Sequence, residues 1–261
     1  MLILLPPSEG KTSPRRGKPL DLETLSFPGL THHREEVLAA LVDLCTTDEP
    51  NVAATVLGLG STQVADVAAD ARLLDAPTAR ADSVYSGVLY EALALGSLSS
   101  AARRRATSWV AVTSGLFGLL RPSDRIPSYR LSGDVSLPGL GTMSTYWSRR
   151  LDEPVREAAG RRGLVVDLRS STYASFWRPA PDLARRVVTV RVLHEVDGVR
   201  KVVSHFNKAT KGRLVRDLLE DGATPSTPAR FADHLGGLGW KAELGEATRH
   251  GSSLDVVVAD L

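Results

Sequence analysis

A lysine follows the first apolar run of the chain, in the segment LPPSEGKT. The last three letters, GKT, match the end of a nucleotide-binding P-loop, G-x-x-x-x-G-K-[ST]. Leu5 stands in place of the first glycine, and Pro6 and Pro7 have no N–H group to offer a phosphate. We therefore interpret the segment as a turn that presents Ser8 and Lys11 at the carboxyl end of a strand, where open α/β sheets bind ligands. A solvated turn is the alternative.

A second polar stretch, residues 114–130, directly follows a predicted strand. Arginine offers a fixed fork of donors to a carboxylate or phosphate, and loops at strand ends often carry binding residues. Alternatively, Asp124 only ties the loop down by pairing with an arginine. The candidates for ligand binding in this stretch are Ser114, Arg121, Tyr129 and Arg130.

The segment SHFNKATKGRL joins a predicted hairpin to a predicted helix and is rich in cations. Lys208 and Lys211 lie near the start of that helix, where cations oppose the helix dipole. An anion near the first turn would offset this repulsion, so both lysines are candidates for binding a phosphate-rich ligand. A solvated basic helix face is the alternative.

The segment LPGLGTMSTYWSRRL carries the pattern h-P-G-h-G of a helix-hairpin-helix element. In that element the N–H groups of Gly139 and Gly141 would hold a DNA phosphate, and Arg149 or Arg150 would add a second contact. Such contacts position a duplex without reading its sequence. The helix that should precede the hairpin is not evident in the sequence.

Several other catalytic and metal-binding patterns are absent from the sequence. It has no H-E-x-x-H, no G-x-S-x-G and no complete glycine-rich dinucleotide motif after a strand. The histidines are scattered, and the single cysteine, Cys45, lies in an apolar helical pattern typical of a buried core residue. We therefore predict no metal site and no cofactor.

Hydrophobic periodicity predicts an α/β (α+β) fold with a helix-rich first half and a mixed sheet, in a single compact domain spanning residues 1–261. Helices are predicted at residues 31–45, 61–74, 83–95, 97–106, 142–159, 207–222 and 227–235. Strands are predicted at residues 2–5, 109–113 and 163–169. Asp197-Gly198 between two β-rich runs predicts a type I′ hairpin, and a second hairpin is predicted at residues 240–259.

Composition indicates an ordinary globular protein. With 261 residues, 43% of them hydrophobic, the chain can bury a large core. No apolar run approaches a membrane span, and the N-terminal apolar stretch is too short for a secretory signal, so we expect a cytoplasmic protein that does not bind a membrane. The net charge is only +2, but pairs of arginines recur and would attract a polyanion if they shared a surface. We favour a monomer.

Seven short motifs occur in one order from end to end of the chain. They are LILLPPSEGKT, VYSG, SGLFGLLRPSD, PSYRL, YW, DLRSSTY and HFNKATKG. In this combination the chain resembles the YaaA peroxide-stress family. Carried over motif by motif, the resemblance implicates Lys11, Tyr85, Arg121, Tyr129, Arg130, Lys208 and Lys211.

The resemblance implies a cytosolic protein that lowers unincorporated intracellular iron during hydrogen peroxide stress. It also implies a single α/β domain with a positively charged cleft, and DNA binding through a helix-hairpin-helix element. Our first hypothesis is therefore a peroxide-stress protein that binds DNA without sequence specificity through a basic cleft.

The second hypothesis is an enzyme that acts on a small anionic or nucleotide-like substrate. Its catalytic residues would be Lys11, Tyr85 and Arg121, with Lys11 or Tyr85 transferring a proton if burial and neighbouring arginines lowered its pKa. This requires that residues remote in sequence meet in one cavity. Direct binding of iron is a weaker hypothesis, because cysteine and histidine do not cluster in the sequence.

Overall fold

An eight-stranded mixed sheet crosses the protein, in a computed structural model that describes residues 1–201 and 204–259. The strands of the chain are β1 (Leu2–Leu5), β2 (Ala79–Arg80), β3 (Val110–Ser114), β4 (Gly118–Leu120), β5 (Arg125–Ile126), β6 (Ser136–Leu137), β7 (Gly141–Thr142), β8 (Val165–Asp167), β9 (Val187–Val196), β10 (Val199–Lys201), β11 (Lys241–Thr248) and β12 (Gly251–Val258). The order in the large sheet is β11-β12-β9-β8-β1-β3-β4, and β10 also pairs with β9. Two small ladders, β2-β5 and β6-β7, lie outside it.

α-Helices fill most of the connections between the strands. They are α1 (Thr31–Thr47), α2 (Pro50–Val56), α3 (Ala65–Asp70), α4 (Ala81–Val84), α5 (Val88–Leu93), α6 (Ser100–Trp109), α7 (Met143–Ser148), α8 (Asp152–Ala159), α9 (Ser171–Ala174), α10 (Pro181–Ala184), α11 (Ser204–Asp221) and α12 (Pro228–Gly237). Within the described ranges, no single helix has both the length and the hydropathy to cross a membrane, although one sharply bent pair, Pro50–Val56 with Ser61–Asp70, passes that test jointly.

The centre of the sheet is parallel. β1 lies between β3 and β8 and runs parallel to both, and β8, β9 and β12 are parallel in turn. All four residues of β1 are fully buried, as expected for a short apolar strand covered on both faces. The chain leaves β1 towards β3 but leaves β8 towards β9, in the opposite direction. Such a reversal opens a crevice at the carboxyl ends of the two strands, where ligands bind in open α/β sheets.

The predicted fold class is confirmed, and so are most of the predicted strands. β3 and β8 occupy the predicted positions, and β11 and β12 form the closing hairpin, longer than predicted. The turn at Asp197-Gly198 has φ of 51° and 74°, the two left-handed residues that a type I′ hairpin requires. Val202 and Val203, predicted to extend its second strand, lie outside the described residues, and α11 already begins at Ser204.

Two predicted helices are interrupted, so the single-helix predictions at residues 83–95 and 142–159 are wrong. The first divides into α4 and α5, because Tyr85 forms an antiparallel bridge with Lys11 and Gly87 has φ of 95°. The second divides into α7 and α8. Pro154 lies in the first turn of α8, where its missing N–H is tolerated, whereas a continuous helix would lose a hydrogen bond at that point. The helix predicted at residues 61–74 is a 3₁₀ turn followed by the shorter α3.

The predicted helix-hairpin-helix element is not confirmed. Its hairpin exists as β6 and β7, with Gly139 and Gly141 at φ of 73° and 75°, and α7 follows it. The helix that precedes the hairpin in the chain, α6, ends at Trp109, and the strands β3, β4 and β5 lie between them. Residues 121–135, directly before the hairpin, contain no helix and only the short strand β5. The element is therefore a hairpin with one helix.

Gly212 lets α11 approach α5 closely. A Cβ atom at this position would lie 2.3 Å from the backbone oxygen of Leu89, whereas a Cβ atom at Gly236 in α12 would meet nothing within 4 Å. We predict that Gly212→Ala lowers the free energy of unfolding by about 1–3 kcal/mol through overpacking. The matched change Gly236→Ala should raise it by up to about 1 kcal/mol, because alanine is the better helix former.

Both values can be measured by urea denaturation. Equal effects of the two substitutions would contradict the close approach of α11 to α5.

Candidate active site

The loop after β1 is fixed against the break between α4 and α5. The bridge between Lys11 and Tyr85 is supported by two backbone hydrogen bonds, from Thr12 N to the Val84 oxygen at 2.8 Å and from Ser86 N to the Gly10 oxygen at 3.1 Å. The Ser8 hydroxyl donates to the Ser86 carbonyl oxygen. These contacts hold Lys11 at the carboxyl edge of the sheet.

The Lys11 ammonium lies among aromatic rings and backbone. Its Nζ donates to the Ser8 carbonyl oxygen at 2.9 Å and lies 4.5 Å from the ring centroid of Tyr129 and 5.9 Å from that of Tyr85. Burial favours the neutral amine and lowers the pKa of Lys11 to about 8, although the nearby carboxylates oppose this shift. About a tenth of this amine is therefore unprotonated at pH 7, far more than for an ordinary lysine.

A buried carboxyl group shares the site with Lys11. Asp70, the last residue of α3, is 1% exposed and accepts a hydrogen bond from the backbone N–H of Arg130 at 3.1 Å. Burial raises the pKa of Asp70 to about 7, while this hydrogen bond and the charge of Lys11 pull it down. Asp70 can therefore hold or release a proton near neutral pH.

Arg130 connects α3 to the loop after β1. Its Nε donates to Asp66 at 2.8 Å and its Nη1 donates to the Glu9 carbonyl oxygen at 2.7 Å. Lys11, Asp66, Asp70 and Arg130 all line a cavity of about 190 Å³, with Tyr129 forming another part of its wall. Charged groups of the two signs balance there, so this cavity is not a basic cleft.

Three buried hydroxyl groups form a chain beneath the cavity. The phenol oxygens of Tyr85 and Tyr129 are 2.8 Å apart, and Ser114 Oγ lies 2.7 Å from that of Tyr129. The Phe117 N–H donates to Ser114 Oγ, which orients the end of the chain. Burial raises the pKa of Tyr85 and of Tyr129, so neither phenol ionises at neutral pH. Proton transfer by Tyr85 would need a lowered pKa, but the pKa of Tyr85 is raised. The pKa of Lys11 is lowered, as proton transfer by this residue requires.

Arg121 lies away from this cavity, and the prediction that it converges with Lys11 is wrong. The antiparallel strand β4 carries the chain back along β3, and Arg121 Nη1 donates to the oxygen of Val110, the first residue of β3. Its guanidinium packs 4.9 Å from the Phe27 ring. Asp124 accepts the backbone N–H of Arg121 at 2.8 Å, so this part of the loop is tied down. Arg121 is therefore at the amino edge of β3, a strand length from the cavity.

The two lysines of α11 are separated. Lys211 Nζ donates to the Leu168 carbonyl oxygen at 2.9 Å, just beyond the carboxyl end of β8. Burial lowers its pKa, and Asp167 opposes this shift. Lys211 therefore lies on the same edge of the sheet as Lys11 but binds backbone there, whereas Lys208 is exposed.

The family of the chain is decided by its match to known sequences. A family model described as peroxide stress protein YaaA matches residues 1–238. The chain belongs to this YaaA family. A UPF0246 protein of Streptomyces coelicolor is 51% identical over 263 residues, covering all of both chains. One from Corynebacterium efficiens is 42% identical over 261 residues, 98% of this chain and 100% of the relative. One from Shewanella loihica is 28% identical over 228 residues, covering 85% and 86%.

In this YaaA-family protein, the arginines beyond the hairpin face acidic neighbours. Arg150 Nε donates to His33 Nδ1 at 3.1 Å, and its guanidinium lies 3.8 Å from the ring centroid of Tyr146. Arg149 is exposed and lines, with Arg150, a groove of about 470 Å³. The carboxylates on the same groove are those of Asp152, Glu153 and Glu157. These carboxylates offset the attraction for DNA that was predicted for Arg149 and Arg150.

A different groove is more basic. Arg80, Arg103 and Arg104 line a space of about 600 Å³, together with the one carboxylate of Asp82. Arg80 binds Asp82 through Nε and Nη2, and Arg103 donates to the Gly96 carbonyl oxygen, so Arg104 adds a third, exposed cation. The arginine triplet at residues 103–105 was the sequence signal for this surface, but nothing in it revealed the neighbouring Arg80.

Asp70 was missed from the sequence, although a signal for it exists. Its position on the apolar side of a helical stretch, three residues after Val67 and three before Leu73, places a carboxyl where a core residue is expected. All three are buried. A charged residue in such a position is almost never fully buried unless it is paired, and it indicates a functional site.

The single thiol of the protein is inert. Cys45 is 8% exposed, as predicted for a core residue, and burial raises its pKa to about 12. The thiolate, which is the reactive form, is therefore scarce at neutral pH.

Ionisation of Asp70 should make the stability depend on pH. In the unfolded chain this carboxyl has its ordinary pKa of 3.8, whereas in the folded protein the pKa is about 7. The folded state binds the proton more tightly, so the stabilisation is complete below about pH 4 and is lost as pH rises through 7. The wild type should therefore lose free energy of unfolding between pH 4 and pH 8, whereas Asp70→Asn cannot lose it in this way. We predict that the free energy of unfolding of Asp70→Asn, relative to the wild type, rises by on the order of a few kcal/mol over this range.

Urea denaturation across this pH range measures the difference. The exposed Asp75, five residues later, provides the matched control Asp75→Asn. If the difference in free energy of unfolding between Asp70→Asn and the wild type did not change with pH, the carboxyl of Asp70 would be ionised over the whole range.

Proposed function

We propose that this YaaA-family protein lowers free intracellular iron in the cytoplasm during hydrogen peroxide stress, and that it acts through the Lys11 cavity. Membership of the family supports the role in peroxide stress. Within residues 1–201 and 204–259, no group of three or more His, Cys, Asp or Glu side chains is placed to hold a metal ion. We therefore assign the effect on iron to chemistry on a small molecule.

The observation that carries this proposal is that Lys11 and Asp70 line one cavity and act on each other through their charges. The amine and the carboxyl have pKa values of about 8 and about 7, so each can gain or lose a proton at physiological pH. A general acid or base works best when its pKa lies near the operating pH. Groups shifted in this way by burial are typical of active sites.

The cavity also limits the substrate. The guanidinium N–H groups of Arg130 that do not bind Asp66 can hold an anionic group, and the neutral form of Asp70 does not repel one. A volume of about 190 Å³ is smaller than the ~300–1,000 Å³ of sites for drug-sized ligands, so the cavity suits a small anion. A second cavity of about 340 Å³ shares the Arg130 side chain with it.

We predict that Lys11→Ala abolishes the lowering of free iron in cells exposed to peroxide. The substitution removes the amine while Asp70 and Arg130 stay in place. The measurement is the electron paramagnetic resonance signal of chelated free iron, in cells whose own copy of the gene has been deleted and replaced by the variant. Survival in peroxide is scored in parallel.

The control is Lys208→Ala, which removes an exposed lysine and should retain the wild-type effect. If a folded Lys11→Ala protein lowers free iron to the same extent as the wild type, the proposal is wrong.

A second candidate function is DNA binding without sequence specificity, which the groove of Arg80, Arg103 and Arg104 favours. Its surplus of cations would neutralise phosphates and release counterions from the duplex. The hairpin at Gly139 and Gly141 is the other candidate surface. Nothing lies within 4 Å of a Cβ built at either glycine, so the hairpin tip is open to a ligand.

We predict that the double variant Arg103→Ala/Arg104→Ala weakens binding to any duplex and makes it less sensitive to salt. Removal of one cation that neutralises a phosphate should reduce the slope of log K against log salt by about 0.9. Fluorescence anisotropy with two unrelated duplexes measures both effects. Arg149→Ala tests the hairpin surface in the same assay. If a variant leaves the affinity for DNA and its salt dependence unchanged, its surface does not bind DNA.

A further inference from the structure

We propose that Lys11 is a nucleophile that forms a reversible imine with a small aldehyde or ketone bearing a carboxylate. This inference rests on the proposed function of the cavity and deepens it by naming a substrate class. Four observations support it: the surroundings of the Lys11 amine, the neighbouring Asp70 carboxyl, the guanidinium of Arg130 and the volume of the cavity.

The surroundings of the Lys11 amine favour its nucleophilic form. Nζ donates to a neutral backbone oxygen, that of Ser8, and faces the Tyr129 ring. The carboxylates of Asp66 and Asp70 act on it only as charges, and burial outweighs them in setting its pKa. A lysine that is desolvated by burial, or that lies near another cation as Lys11 does near Arg130, is the form that attacks carbonyl carbons to give Schiff bases.

Asp70 supplies the proton transfers that imine formation needs. The nitrogen lone pair of Lys11 forms a bond to the carbonyl carbon, and the carbonyl oxygen takes a proton from Asp70. The resulting carbinolamine returns one N–H proton to Asp70, and the hydroxyl group takes that proton and leaves as water. The iminium that remains gives its second N–H proton back to Asp70, which restores the carboxyl group. The sum is amine plus carbonyl giving imine plus water, with no oxidant or reductant. Asp70 can cycle in this way because its pKa is about 7.

Arg130 and the cavity size define the rest of the substrate. The Nε and Nη1 groups of Arg130 bind Asp66 and the Glu9 oxygen, which leaves Nη2 to donate to a ligand. A guanidinium N–H is a strong donor to a carboxylate. A cavity of about 190 Å³ is slightly larger than the ~150 Å³ that holds benzene, which leaves room for a short oxo acid.

The experiment treats the full-length protein with glyoxylate and sodium cyanoborohydride, and mass spectrometry of peptides locates the reduced adduct. We expect at least about tenfold more adduct on the Lys11 peptide than on the peptide of exposed Lys208, because about half of the buried amine is neutral at pH 8. Lys11→Arg, which keeps the charge, should lose this adduct. Acetaldehyde, which has the carbonyl but not the carboxylate, should label Lys11 less than glyoxylate does.

An adduct spread equally over exposed lysines, or equal total labelling of the Lys11→Arg protein, would overturn the imine. Equal labelling by acetaldehyde would overturn the assignment of an oxo acid. The proposed function fails separately: it falls if Lys11→Ala still lowers iron, whether or not Lys11 is labelled. If Lys11 is not labelled but Lys11→Ala loses the effect on iron, only the imine is excluded.

Discussion

The antiparallel bridge between Lys11 and Tyr85 is the constraint on which the site depends. It joins the loop after the central strand to the segment between α4 and α5, and it ends one helix so that the next can begin. The same contact places the Lys11 amine against the rings of Tyr85 and Tyr129. Without it, Lys11 would lie on a turn in water and keep an ordinary ammonium group.

Desolvation sets the chemistry of the cavity more strongly than its charges do. Opposite charges nearby would by themselves stabilise the ionised forms of Lys11 and Asp70. Burial is nevertheless the largest effect on both groups and acts against ionisation in each. The folded protein therefore keeps two groups whose charged forms are disfavoured, at some loss of stability, and this is common where function requires a proton to move.

Local pattern predicted the elements of the fold but only part of the site. The β-rich runs around Asp197-Gly198 and the apolar strand β1 depend on neighbours in sequence, which periodicity shows. Lys11, Tyr129 and Arg130 do meet, as expected. The break after α4 and the position of Arg121 depend on partners far along the chain, so composition and spacing could not reveal them. The position of Asp70 between Val67 and Leu73 did carry a signal, but its neighbours Lys11 and Arg130 are remote in sequence and could not be predicted from it.

The sealed position of Cys45 bears on how this protein survives the conditions to which its family responds. Hydrogen peroxide attacks thiolates and exposed thioethers first. Here the thiol is buried and protonated, and the thioether of Met143 is fully enclosed. The residues that line the Lys11 cavity contain no sulfur, so the oxidant finds no thiol or thioether among them.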